Sequence, residues 1–435
     1  MIEIILANGT TERSKLAAMS ARAAQVNSEI DQVVSQIMQT VKEQGLSAVE
    51  AYSLQFDGKE PCELSQEMLD EAYERCPAAL IEALEHAAEN IRAYNQRLLT
   101  GSAEWNSPDG GMVGRIVRGL HRVGIYVPGG TAAYPSSVLM NAIPARVAGV
   151  EEIVMVTPPT DHLNDAVLAA ARIAGVDRVL AVGGAHAVAA LTYGAGWIPR
   201  VDKLVGPGNA FVAAAKRMAY GTLDIDMVAG PSEVLILADE TASPRYIAAD
   251  LLSQAEHDRM ASAILLTTDQ TLARAVAQEI TRQMKTLTRS EIMEQSLRDF
   301  GCIIVCQDLE QCIVMANEIA PEHLELITAS PRDLLPHIRN AGAVFLGEYT
   351  PEPLGDYMAG PNHVLPTSGT ARFFSPLSVD SFLKSMSVIE YDRASLAAVH
   401  EMVVTMAESE RLTAHANSIR VRFGDSSSGA DGRKE

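Results

Sequence analysis

The sequence predicts an α/β protein made of two doubly wound parallel sheets, with helical extensions at the N-terminal and C-terminal ends. Three observations lead there. Over about the first hundred residues apolar side chains recur at helical spacing, as in Ile30, Val33, Val34, Ile37 and Val41, which fall at i, i+3, i+4, i+7 and i+11 on one helix face. From about Gly114 short β-branched runs alternate with amphipathic stretches of roughly ten to fifteen residues, the signature of parallel sheets. After Ser375 the pattern turns helical again.

Taken in order, the helical lead-in is followed by a second helical stretch from about Ser65 to Leu99. Pro77 interrupts it, and a proline suits the first turn of a new helix better than the interior of an old one. The strand candidates are Ile153–Val156, Val179–Val182, Lys203–Val205, Val234–Leu237, Ala263–Thr267, Cys302–Cys306 and Ala343–Leu346. These are too many for one mononucleotide-binding half, so two doubly wound units are expected, with breaks near Gly124–Gly130 and near Gly230–Pro231. The closing GDSSSGADGRKE is small and polar and reads as a frayed tail. No internal repeat is visible.

The chain has 435 residues, 47% hydrophobic and 21% charged, which is enough to bury two cores and excludes disorder or coiled coil as its main theme. Thirty-five Lys+Arg against 55 Asp+Glu leave a net charge of −20, with no basic stripe to attract a phosphate backbone. Nucleic acid is therefore not an expected partner. No apolar run is long enough to span a bilayer, and no signal segment opens the chain at Met1, so the expected location is the cytoplasm. Cys62, Cys76, Cys302, Cys306 and Cys312 are an odd set without CxxC spacing, which fits a reducing compartment and neither a disulfide scaffold nor a thiolate zinc site.

Three glycine clusters fall at strand-to-helix turns: GIYVPGG at 124–130, Gly183–Gly184 and GPGN at 206–209. Such turns bind nucleotides when backbone N–H groups approach a pyrophosphate at a helix N-terminus. None is a complete G-x-G-x-x-G, so ordinary strand-helix punctuation remains open beside the dinucleotide reading.

Four clusters can carry chemistry. Gln254 and His257 in SQAEH are three apart and share a helix face, as a polar helix end or as metal ligands. Glu322 and His323 in PEHLE place a carboxylate beside an imidazole, as an acid/base pair or as an acidic helix start. Asp356 and His363 sit in LGDYMAGPNH, a loop beyond a strand where binding residues concentrate. Glu410 and His415 lie five apart in the C-terminal helical region, where a solvated helix is the plain alternative. Together Gln254, His257, Asp356 and His415 form a nitrogen/oxygen set that zinc accepts, although spacing alone cannot make them converge.

RVGIYVPGGTAAYPSSVLMNAIPA, VDKLVGPGN, AGPSEVLILAD, SQAEH, APEHLEL, YTPEPLGDYMAGPNHVLPTSGTARF and HANSIRVR resemble the histidinol dehydrogenase family, from about residue 25 to 423. The resemblance implies two Rossmann-like domains. Residues 1–24 would be an N-terminal arm, 25–125 with 233–376 a first domain carrying the zinc and catalytic residues, and 126–232 an NAD-binding domain. Residues 377–424 would reach the partner subunit, ahead of a flexible tail at 425–435. The implied activity is oxidation of L-histidinol to L-histidine through L-histidinaldehyde with two NAD, the final step of histidine biosynthesis. Gln254, His257, Asp356 and His415 would ligate one zinc ion per subunit and hold the substrate through it. His323 would be the base of the first oxidation and would touch the substrate, and Glu322 would activate the water of the second. Ser232, His363 and Glu410 would also contact substrate, while Tyr126, His186 and Asn209 would contact NAD. The assembly implied is a homodimer with shared active sites.

Two positions depart from the family pattern. His186 stands where glutamine is usual in GGAxA, and a ring that can become charged brings the pH dependence of NAD binding into question. Arg411 follows Glu410 where glycine is frequent, and only a local effect is expected. A related zinc- and NAD-dependent dehydrogenase of another small polar alcohol, of the sulphopropanediol type, would keep the same core machinery. Ser232, His363 and Glu410 favour histidinol over it. A catalytically silent binding module would have no need of Glu322, His323 and the ligand set, and a zinc hydrolase would leave the glycine turns without a purpose.

Overall fold

The computed structural model describes residues 2–21, 28–129, 134–161, 163–228 and 230–424; the expected tail at 425–435 and Gly130 of the first glycine turn lie outside the described residues. The strands in chain order are β1 (Glu3–Leu6), β2 (Cys62–Leu64), β3 (Ala103–Asn106), β4 (Met112–Gly119), β5 (Arg122–Tyr126), β6 (Glu152–Thr157), β7 (Arg178–Ala181) and β8 (Lys203–Val205). They continue as β9 (Asp224–Ile225), β10 (Glu233–Ala238), β11 (Ser262–Thr267), β12 (Gly301–Val305), β13 (His323–Ile327), β14 (Ala343–Leu346) and β15 (Leu383–Glu390). The chain divides into two compact units, Met1–Leu99 with Gly119–Phe382, and Thr100–Arg118 with Leu383–Glu435.

The larger unit holds two six-stranded sheets. The first has the order β1-β12-β11-β10-β13-β14, all parallel. Its strands are apolar on both faces because helices cover both. Val234, Ile236 and Ala238 pack with helices Pro244–Ala255 and Gln270–Gln283, while Leu235 and Leu237 turn to the opposite layer with Met315 and Ala316 of helix Leu309–Ile319. That is the period-two alternation of a strand. Cys302 and Cys312 are buried, unbridged core residues of this second layer.

The second sheet runs β2-β7-β6-β5-β8-β9 and is parallel apart from β2 against β7. Strand order reverses direction between β5 and β8, which makes a topological switch point there. Helices Ser28–Gln44 and Leu46–Asp57 pack on helices Gly184–Tyr193 and Ala210–Ala219 over one face. In helix Ser28–Gln44 the inward residues are Val34, Ile37, Met38 and Val41, and Val33 from the expected stripe stays 48% exposed. Residues 28–64 and β5 thus join the second sheet, whereas the expected partition grouped 25–125 with the first. The physical reason is that their apolar face is complementary to the helices of the second sheet. Residues 3–6, placed in the N-terminal arm, supply an edge strand of the first sheet.

The smaller unit contains a three-stranded sheet, β15-β4-β3, and helices Arg393–Ser409 and Thr413–Arg420. Asp392 and Ser395 form a reciprocal capping box at the start of the first of these helices. Among the described residues no helix is long and apolar enough to cross a membrane.

Candidate active site

The Glu322-His323 pair lies at the amino edge of the first sheet. Helix Leu309–Ile319 ends at Ala320, whose φ of 52° is in the left-handed region, and Pro321 then directs the chain into β13. His323 is the first residue of that strand, in register with Val234 and Ala343, so Glu322 immediately precedes a strand and not a helix. Backbone groups of Glu233 serve both side chains. Its N–H donates to Glu322 Oε2 at 2.8 Å, and its carbonyl oxygen is 3.0 Å from His323 Nδ1. The carbonyl can only accept, so the proton of a neutral ring is on Nδ1 and Nε2 carries the lone pair. Nε2 has no hydrogen-bond partner in the fold and faces Asp356 Oδ1 at 3.8 Å. Burial lowers the proton affinity of His323 and raises that of Glu322 well above the usual carboxylate range.

Two other segments close on this pair. Helix Pro244–Ala255 delivers Ser253 and Gln254, and Gln254 is fully buried with neither amide atom hydrogen-bonded. His257 follows the helix end, exposed, and lies within electrostatic range of both Glu352 and His363. Helix Glu352–Tyr357 carries Glu352 and Asp356 one turn apart on one face. Ligand atoms of His323, Glu352 and Asp356 all lie within 4.8 Å of one another. Asp356 is pushed up to about 7 by burial, with neighbouring Glu352 adding to it and His323 opposing. His363 places Nδ1 3.1 Å from the Asp356 carbonyl and Nε2 3.3 Å from Ser137 Oγ, and burial lowers it to about 4. Ser232 immediately precedes β10, with its carbonyl taken by the Ser262 N–H.

Glu352 was not among the residues marked by sequence. Its only local signal is its spacing of four from Asp356 inside TPEPLGD. Behind it, Glu325 Oε1 accepts the Glu352 N–H at 2.9 Å, and Asp250 shares a side-chain hydrogen bond with Glu325. Among the described residues no Lys or Arg forms an ion pair with Glu322, Glu325, Glu352 or Asp356. The orphaned His323 Nε2 beside the carboxylates of Glu352 and Asp356 fits a cation with nitrogen and oxygen ligands, and the orphaned Gln254 amide follows Ser253, whose hydroxyl donates to Glu352. Glu410 and His415 belong to the smaller unit. Glu410 caps helix Arg393–Ser409, and His415 is exposed on helix Thr413–Arg420.

The expected cofactor residues gather at the carboxyl edge of the second sheet, around the β5/β8 switch point. Tyr126 ends β5 and its hydroxyl accepts the Gly184 N–H at 2.9 Å, while burial pushes the phenol up to about 12. Beyond β8, Asn209 caps helix Ala210–Ala219 by accepting from the Phe211 and Val212 N–H groups. The intervening turn is held by Asp226, which accepts from the Gly206 N–H at 2.8 Å and pairs with Lys216. Gly206 has φ 106°, and a Cβ there would collide with the Tyr126 carbonyl, so only glycine fits. His186 is 1% exposed, tilted against Tyr52 and Phe56, with Asp57 Oδ2 3.8 Å from Nε2.

A family model described as histidinol dehydrogenase matches residues 20–423. The histidinol dehydrogenase of Clostridium acetobutylicum is 51% identical over 424 residues, covering 96% of this chain and 98% of the relative. That of Caldanaerobacter subterraneus subsp. tengcongensis is 53% identical over 428 residues, 97% of each chain. A crystal structure of histidinol dehydrogenase from Elizabethkingia anophelis superposes with a TM-score of 0.92 at 35% identity, covering 97% of this chain and 98% of that one. Sequence match and superposition both extend over nearly the full length, and the chain belongs to the histidinol dehydrogenase family.

Proposed function

We propose that this protein oxidises L-histidinol to L-histidine through L-histidinaldehyde, using two NAD and one zinc ion per subunit, as the last step of histidine biosynthesis in the cytoplasm. The observation that supports this best is the meeting of a buried Glu-His pair with Asp356 at one sheet edge, beside Glu352, which the helix carrying the unpartnered amide of Gln254 reaches through Ser253. Gln254, His257, Asp356 and His415 would hold the zinc, which when bound supplies a Lewis-acidic anchor for the imidazole and amino nitrogens of the substrate. Tyr126, His186 and Asn209 would line the site of NAD, the hydride acceptor, at the switch point of the second sheet.

The chain's own groups divide the proton transfers. His323, fixed by the Glu233 carbonyl through Nδ1, presents a bare Nε2 that takes the alcohol proton as the first hydride leaves carbon. Glu322, oriented by the Glu233 N–H, is a carboxylate of raised proton affinity and hence a stronger base toward the water that adds to the aldehyde. Ser232, His363 and Glu410 would contact the substrate. His363 stays neutral near physiological pH and so adds no positive charge beside the substrate's amine. In a homodimer with shared sites, Glu410 and His415 would serve the neighbouring subunit.

The test is NADH formation from purified, zinc-loaded protein with L-histidinol, with NADH and histidine counted together and the assay repeated after chelation. Two NADH per histidine, lost with chelator and restored by zinc, is the expected result. A folded, zinc-bound protein that leaves histidinol untouched would move the reading to another small polar alcohol.

A further inference from the structure

We propose that Asp57 selects NAD over its 2′-phosphorylated form: its carboxylate accepts the hydroxyls of the adenosine ribose and repels a phosphate placed there. The inference rests on the dinucleotide reading of the second sheet and adds to it a cofactor specificity and the residue that sets it. The sheet gives the location. Its parallel strands run β7-β6-β5-β8-β9, so with β5 as the first strand of the unit, β6 and β7 are the second and third. In a doubly wound dinucleotide fold the adenosine lies on their side of the first strand, and an acidic residue at the end of the second strand usually meets its ribose. Here β6 ends at Thr157 and runs into Pro158 and Pro159, and the next carboxylate, Asp161, is engaged by Lys59 at 2.7 Å. The second strand therefore offers the ribose no carboxylate of its own.

Asp57 supplies one from outside the strand-helix repeat. It is the last residue of helix Leu46–Asp57, which packs on helix Gly184–Tyr193 beyond β7. Among the described residues no Lys or Arg pairs with it, and the titratable ring that faces it, His186, has Nε2 3.8 Å from Oδ2, too far for a hydrogen bond. Ser53 Oγ, one turn earlier on the helix, Asp57 Oδ2 and both ring nitrogens of His186 are buried and lack hydrogen-bond partners. These unmet polar atoms lie close to the expected cofactor turn, since Asp57 is within electrostatic range of the Tyr126 hydroxyl that holds the Gly184 N–H. Although Oδ2 is buried, the Asp57 side chain keeps 20% of its surface open, which leaves the other oxygen for a ligand. Phe56, 53% exposed and stacked on Tyr52 at 5.7 Å, adds an apolar ring next to the carboxylate on which a base can lie. A ribose diol donates hydrogen bonds to a carboxylate, whereas a 2′-phosphate brings acceptor oxygens and negative charge. Lys59, the nearest cation along the chain, is already paired with Asp161 and so does not offset that charge.

The experiment titrates the full-length protein calorimetrically with ADP-ribose and with its 2′-phosphate, and measures NADH and NADPH formation by the zinc-loaded protein with L-histidinol. The proteins compared are wild type, Asp57→Asn, Asp57→Glu and Asp161→Asn. The wild type is expected to prefer ADP-ribose by at least thirtyfold. Asp57→Asn should bind ADP-ribose at least tenfold more weakly and reduce that preference to within threefold. In turnover it should raise KM for NAD at least tenfold while kcat stays within threefold and KM for histidinol within twofold, a split that general loosening of the fold would not give. Asp57→Glu keeps the carboxylate and should retain most of the preference, which guards against a fold defect in the asparagine variant, and Asp161→Asn should match wild type within twofold. A preference in Asp57→Asn within twofold of wild type overturns the inference, as does its loss in Asp161→Asn. A wild type that binds neither probe and turns over with neither dinucleotide overturns the cofactor reading itself, which separates the two failures.

Discussion

His323 Nδ1 lies 3.0 Å from the backbone carbonyl oxygen of Glu233, whose N–H is committed to Glu322 Oε2 at 2.8 Å. One peptide segment therefore sets the tautomer of the imidazole and the orientation of the carboxylate. Two bases with different proton affinities sit side by side, which suits two successive oxidations with different proton donors. Glu322→Gln keeps the shape and the Glu233 contact, so it is expected to spare oxidation of the alcohol and slow oxidation of the aldehyde by roughly 10²- to 10⁴-fold. His323→Asn should slow the alcohol step by a similar factor. Single-turnover assays started from histidinol and from histidinaldehyde separate the two. Equal loss of both half-reactions in Glu322→Gln would remove the assigned division of labour.

Gln254 carries a different balance. Its amide nitrogen and oxygen are buried without partners, and each such atom costs about 1–3 kcal/mol when no ligand satisfies it. Gln254→Leu, of similar volume, is thus expected to stabilise the metal-free protein, raising Tm by about 1–2 °C, while weakening zinc binding. Calorimetry with and without chelator reads both. A lower Tm in the metal-free variant would mean that the amide is satisfied within the fold.

Much of this was legible in the sequence, for identifiable reasons. Strands buried on both faces, such as β10 and β11, are uninterrupted apolar runs and stand out. β13 did not, because Glu325 breaks its run with a charge whose burial depends on Asp250 and Glu352, both distant in sequence. β1 and β2 are short edge strands within helical surroundings and leave almost no periodic trace. Gln254, Glu322, His323 and Asp356 could be named from local patterns, but their meeting depends on β10 and β13 being neighbours, a pairing across some ninety positions. Glu352 was missed because a glutamate between two prolines looks like loop decoration until helix Glu352–Tyr357 turns it inward.

His186 gives a pH prediction with a definite sign. Burial lowers its pKa from 6.5 to about 4, and the Asp57 carboxyl 3.8 Å away is raised by its own burial, so both are held toward their neutral forms. Between pH 6.5 and 4 the unfolded chain binds a proton at this ring that the folded chain does not, so the contribution of His186 is retained above pH 6.5 and is lost as pH falls. From pH 7.5 to 5 the wild type should lose about 2 kcal/mol relative to His186→Gln. Tm measured for both proteins across that range checks it. A gap that does not change with pH would show that Asp57 keeps the ring charged in the fold.

Arg411 is the other departure from the family pattern, and its backbone explains why glycine is frequent there. Helix Arg393–Ser409 ends in a Schellman arrangement, with the Arg411 N–H donating to the Glu408 carbonyl at 2.9 Å and the Leu412 N–H to the Ala407 carbonyl at 2.8 Å. This geometry places Arg411 at φ 60°, where a Cβ is strained by about 1 kcal/mol and glycine is not. Part of that gain returns through the greater freedom of glycine in the unfolded chain, so Arg411→Gly is expected to stabilise by about 0.5 kcal/mol. The same turn fixes the path from Glu410 to His415, so an unstrained cap should preserve it and leave kcat within twofold of wild type. Slower hydrogen exchange at the Leu412 amide, together with a raised unfolding midpoint, is the expected reading. Faster exchange would mean that the arginine side chain, and not the turn, secures the helix end.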